Sequence, residues 1–210
     1  MNEHTFPFDT CEKVNETGIA QPYSTLFNVV NSAIILYFLW KSKHTYTQVL
    51  LTSILCFQLF HTFSHSLHIP GTVQVNVIHI LTYFMNLAFF YAFYSYTNVF
   101  PQYGFMLYLL LVVCFDIYSV MNLSLFYYVL AQSLIFISLF GYYYPLLPIA
   151  IQKSIYSIAF VIIAILLLVA NESRHCASMM AANPHFPYHI FIEIAGIGLF
   201  YLICSSFYKL

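Results

Sequence analysis

Charge is scarce in this sequence. Six Lys and Arg and seven Asp and Glu make up 6% of its 210 residues, against roughly a quarter in an ordinary soluble domain. So little charge argues against a water-facing globular surface. The absence of any basic run argues against nucleic acid as a partner, because phosphate binding needs clustered Lys and Arg. The first 24 residues carry Asp9, Glu12, Lys13 and Glu16 and lack the apolar core of a signal peptide, so the first apolar helix is expected to direct insertion. The last apolar stretch has no Lys apart from the terminal Lys209, which argues against a retinal-binding chain.

Apolar residues are what the sequence has in abundance, at 61%. A spanning helix needs about 20 mainly apolar residues. Such stretches fall at 25–40, 47–67, 75–97, 103–120, 123–143, 150–170 and 187–208, separated by Lys41 to His44, Pro70-Gly71, Pro101, Pro145 with Pro148, and the polar stretch Asn171 to Pro187. The run from Tyr103 to Tyr144 is too long for one crossing, so a tight turn is expected at Met121 to Leu123. The fold class is therefore an all-α membrane protein, a seven-transmembrane-helix bundle. Residues 1–24 form a polar exoplasmic segment and 25–210 the transmembrane domain. Lys41, Lys43, Lys153 and Lys209 then share one side, which makes the N-terminus exoplasmic and the C-terminus cytosolic. Sequons at Asn15, Asn122 and Asn171 fall on the exoplasmic side. The organelle, endomembrane or plasma membrane, is not legible.

Cys56, Cys114 and Cys204 lie in apolar helices and read as small core hydrophobes. Cys11 and Cys176 both fall in segments expected on the oxidising side, where they either pair or stay as separate thiols.

Nine histidines are a large share in so apolar a chain. Ionisable groups within a bilayer are costly and mark functional sites. Positions 61, 65 and 68 lie within about 60° of one another on a helix, with Ser64 at the border of the stripe. His185, His189 and Glu193 follow at steps of four on the expected seventh helix. His68, His79, His185 and His189 are expected at one depth near the exoplasmic face, a set of imidazoles suited to zinc. His4, His44 and His175 are expected in loops.

Ser64-x-x-x-His68 and His185-x-x-x-His189 resemble the signature of the alkaline ceramidases, members of a superfamily of seven-helix membrane hydrolases that includes the progestin and adipoQ receptors and Per1-type proteins. Asp9-x-Cys11-Glu12-x-x-Asn15 is similar to the ceramidase calcium-binding segment, and Phe27-Asn28 with Asn31-Ser32 to the start of its first helix. The resemblance implies zinc held by His68, His185 and His189, with Ser64 close to the reacting water. It also implies a calcium site at Asp9, Glu12 and Asn15, a disulfide between Cys11 and Cys176, and a ceramide or related membrane sphingolipid as substrate. The family has an Asp eleven residues past the zinc-binding His of the second helix, and this chain has His79 there. His79 then serves as the base or as a fourth ligand, and Glu193 and Asp116 are substitute candidates for the base or for partners of the histidines.

The expected activity is zinc-dependent hydrolysis of a lipid amide. Two alternatives stand beside it. One is a non-catalytic lipid-binding or receptor-like protein that keeps the metal. The other is a di-iron lipid hydroxylase or desaturase, suggested by His61-x-x-x-His65-x-x-His68.

Overall fold

The computed structural model describes residues 11–121 and 125–208. Asp9, Lys209 and the turn and sequon at Asn122 lie outside the described residues. Among the described residues there are seven α-helices and no strand: α1 (Pro22–Lys41), α2 (Thr45–Ser66), α3 (Gly71–Thr97), α4 (Tyr103–Met121), α5 (Leu125–Tyr142), α6 (Ile149–Ala182) and α7 (Ile190–Phe207), with a single 3-10 turn at Tyr144–Leu146. Proline marks several starts, at the first helical position of α1 and immediately before α3 and α6, where its missing N–H is no loss.

α1 packs between α2 and α7, α2 beside α3, α6 between α5 and α7, and α4 against α5 with a lighter touch on α3. The chain thus closes into a bundle in which the first and last helices are neighbours. α1, α3, α6 and α7 are long and apolar enough to cross a membrane. α2 is equally long, but Gln58, His61, Thr62, Ser64 and His65 dilute its apolar character. Trp40, Phe84, Leu111, Phe160 and Leu167 all point outward, an exterior that lipid satisfies and water does not.

The inside of the bundle is divided. In one part, Phe93, Phe140, Tyr143 and Phe207 pack ring on ring, with centroids 5.0 to 6.1 Å apart. In another, the N-termini of α1 and α7, the C-terminal turns of α2 and the C-terminal third of α6 bring polar side chains together.

α6 differs from the sequence expectation by running on to Ala182 instead of ending near 170. Residues 171–182 are polar but hold no Gly or Pro, and Ala, Met, Glu and Arg are good helix formers, so the apolar run stops while the helix does not. His175 consequently lies on α6 and not in a loop. α7 begins later than expected, at Ile190. Pro184 and Pro187 disfavour helix at the residues before them, and Asn183 is extended at φ −149° and ψ 91°.

Residues 11–21 form a strap across the polar end. The Asn15 N–H donates to the Ala20 carbonyl at 2.8 Å and the Asn15 side chain to Ile19 at 3.0 Å, a turn in which Gly18 takes φ +80°. The N–H groups of Ala20 and Gln21 donate to the carbonyls of Ser66 and His65, satisfying acceptors that the end of α2 leaves open. Glu12 caps α1: its carboxylate accepts the N–H groups of Tyr23 and Ser24, at 3.0 and 3.1 Å, and the Ser24 hydroxyl. Cys11 is bonded to Cys176 of α6.

Candidate metal centre

His61 and His65 are four residues apart on α2 and so project from one face. His189 immediately precedes the first turn of α7, and Glu193 lies one turn later. These four side chains meet where α2 faces α7. The Nε2 atoms of His61 and His65 are 2.9 Å apart. Glu193 Oε1 is 4.0 Å from Nε2 of His61, 3.7 Å from that of His65 and 3.5 Å from that of His189. His65, His189 and Glu193 are buried, while His61 is partly open.

His65, His189 and Glu193 each have an outer partner. His65 Nδ1 donates to Gln21 Oε1 at 2.5 Å, which leaves the lone pair of a neutral ring on Nε2. His189 Nδ1 lies 2.9 and 3.0 Å from the two carboxylate oxygens of Glu172, again turning Nε2 inward. Asn28 donates to Glu193 Oε1 at 2.8 Å, and its own side-chain oxygen accepts from Gln58. Oriented imidazoles whose second nitrogen is held by an outer acceptor are what metal ligands require.

The donor set fits a late first-row ion. For metal–ligand bonds of about 2.05 Å, tetrahedral donors stand about 3.3 Å apart. The separations among His61, His65 and Glu193, 2.9 to 4.0 Å, bracket that value, and His189 Nε2 stands 3.5 Å from Glu193 Oε1 beside that group. His61, His65 and Glu193 are the one group of three potential ligands found among the described residues. Imidazole with a carboxylate suits zinc better than it suits calcium or magnesium.

A cavity of about 210 Å³ opens beside the cluster. His61, His189 and Glu193 form its polar end, and Ile54, Phe57, Met85, Phe89, Ile162 and Leu199 are among its apolar walls. Gln132, Ser133 and Tyr128 of α5 add a second polar patch.

The residues singled out in the sequence separate. His189 and Glu193 belong to the cluster. His68 lies past the end of α2, where Leu67 turns extended (φ −114°, ψ 154°), and His185 lies in the proline-flanked link before α7; both are exposed and outside the cluster. Ser64 is buried, and its hydroxyl has no hydrogen-bond partner among the described residues. His79 is half-buried on α3, its Nε2 enclosed without a hydrogen-bond partner among the described residues, and is not among the residues lining the cavity. Asp116 is buried on α4, where it accepts from Gln132 at 2.8 Å.

Of the three residues that the family resemblance implies for calcium, which takes six to eight oxygens, Glu12 and Asn15 lie at the strap and Asp9 lies outside the described residues. Both oxygens of Glu12 are engaged by donors of α1, and the exposed Asn15 is held in its own turn.

The zinc set expected from the sequence did not include His61 and His65, which entered only as part of the di-iron alternative, and neither Gln21, the partner of His65, nor Glu172, the partner of His189, was singled out. The two histidines carried a usable signal, the same four-residue spacing as His185 and His189. Gln21 carried none. No family model matches the chain, and no curated protein or solved structure matches it either.

Proposed function

We propose that this chain is a zinc-dependent hydrolase of membrane-lipid amides, built as seven spans with the N-terminus exoplasmic and the C-terminus cytosolic. The observation that carries the reading is the group His61, His65 and Glu193, whose ligand atoms lie within 4.8 Å of one another, with His189 Nε2 3.5 Å from Glu193 Oε1 and a largely apolar cavity opening beside them. The Cys11–Cys176 bond supports the orientation, since disulfides persist on the oxidising side of a membrane. The resemblance to alkaline ceramidases favours a ceramide-type lipid.

In this reading His61, His65 and His189 hold the zinc, and Glu193 faces the position of the reacting water. The ion when bound supplies Lewis-acid polarisation of the scissile carbonyl and lowers the pKa of water. Glu193 takes a proton from the water whose oxygen bonds to the carbonyl carbon. As the C–N bond breaks, Glu193 returns that proton to the departing nitrogen, so that a fatty acid and an amine result. Asn28 keeps Oε1 of Glu193 directed at the imidazoles. The apolar cavity takes up the acyl chain.

A second reading, a non-catalytic lipid-binding or receptor-like protein, is favoured by one feature: Glu193 lies close enough to all three imidazoles to be a fourth ligand, which would close the site. A di-iron carboxylate centre takes about six protein ligands, and the described residues bring four candidates together.

The test is elemental mass spectrometry of the detergent-purified chain together with a lipid-amide turnover assay. About one zinc per chain and release of fatty acid, abolished by a chelator and restored by zinc, are expected. Zinc without turnover moves the assignment to the non-catalytic reading, and no bound divalent metal sinks both.

Gly196 offers a check on the cavity. It lines the wall on α7, and a Cβ there would stand 3.7 Å from the Asn31 amide, an ordinary contact. Gly196→Leu should leave zinc content unchanged and stabilise α7 by roughly 0.5–1 kcal/mol. Turnover of long-chain amides should fall by about tenfold or more as the new side chain enters the cavity. Rates measured across acyl-chain length should show short chains spared.

A further inference from the structure

Glu172 is a buried carboxylate outside the ligand set, and it touches both the inner site and the strap. Its two oxygens lie 2.9 and 3.0 Å from His189 Nδ1, and Oε1 also accepts the Cys11 N–H at 2.6 Å. Cys176 is four residues further along α6, so the disulfide and the carboxylate share one face of that helix. Cys11 is thereby fastened to α6 twice, through its sulfur and through its amide.

We propose that Glu172 is a positioning residue for His189, and that the disulfide-held strap keeps Glu172 in place for that task; this rests on the metal-centre reading above. His189 needs such a partner more than the other ligands do. It stands at the very start of α7, preceded by a proline-flanked link instead of a helical turn, whereas His61 and His65 lie within α2. Accepting the Nδ1–H fixes the tautomer and the ring plane, directs the Nε2 lone pair at the centre, and makes the ring a more basic ligand. Gln21, the strap residue that holds His65, is fastened separately, through its own N–H to the His65 carbonyl at 2.9 Å.

The experiment is a zinc-affinity measurement by competition with a chromophoric chelator on the full-length, detergent-purified chain. It compares wild type, Glu172→Ala, Glu172→Gln, the Cys11→Ser and Cys176→Ser pair, and the triple variant combining that pair with Glu172→Ala. Glu172→Ala should weaken zinc binding about 10- to 100-fold. Glu172→Gln keeps an acceptor for the ring and should lose less. The Ser pair should also weaken binding, and the triple variant should be no weaker than Glu172→Ala alone, because the strap acts through the carboxylate. Affinities of both Glu172 variants within about twofold of wild type would overturn the proposal, as would losses that multiply in the triple variant. Should Glu172→Ala fail to fold, Glu172→Gln and the Ser pair still decide it. A wild-type chain that binds no zinc removes the metal-centre reading itself, an outcome distinct from a zinc-binding chain indifferent to Glu172.

Discussion

Glu193→Gln is expected to retain zinc while losing lipid-amide turnover by about 10²- to 10⁴-fold, the usual contribution of a general base. The substitution preserves size and still offers an oxygen to the Asn28 amide, which donates to Oε1 at 2.8 Å. It removes the charge that lies 3.5 to 4.0 Å from the three imidazole nitrogens. If Glu193 is the proton acceptor, zinc content by elemental analysis stays near the wild-type level and only kcat falls. If Glu193 is instead the fourth ligand, zinc affinity drops together with any activity. One variant thus separates an open catalytic site from a closed structural one.

The combined His61→Ala and His65→Ala substitution should have the largest effect on metal binding. A four-ligand zinc site is worth about 10–16 kcal/mol, so two imidazoles carry roughly 5–8 kcal/mol, or on the order of 10⁴-fold or more in affinity. The two rings are adjacent on α2, 2.9 Å apart at Nε2, so their removal leaves His189 and Glu193 as a weak two-donor remnant. His68→Ala with His185→Ala provides the contrast, since both residues are exposed and outside the cluster. Zinc loss in that second pair, with retention in the first, would transfer the centre to the ligand set implied by the family resemblance.

Much of the fold was legible because a bilayer demands long apolar runs, and each expected segment holds a helix. The helix ends were less so. Asn171 to Ala182 looked like a loop because hydropathy falls there, yet helix formation depends on backbone propensity and not on polarity, and that stretch holds no breaker. This one misreading also hid Glu172. The polar cluster was legible in part as histidines out of place in an apolar chain, and its His189 and Glu193 were both singled out. Its two α2 histidines were not, because choosing between His61, His65 and His68 needs the last helical residue of α2, and that residue is Ser66. Likewise the stripe through His185 required a helix that Pro187 prevents. Gln21 and Asn28 reach the site only through the approach of α1 and its strap to α2 and α7, long-range pairings without a local pattern.

The 34 residues of α6 have a consequence for depth. At 1.5 Å per residue the helix is about 51 Å long, whereas the hydrocarbon layer is about 30 Å thick. With modest tilt, some three turns must stand clear of the oil, and the polar stretch from Asn171 onward is the end suited to do so. Glu172 then sits at the boundary between acyl chains and headgroups, where a carboxylate costs less than at mid-bilayer. Under the proposed function, the amide bond reached at that depth would be one near the interface, with acyl chains entering from the oil and water from the aqueous face.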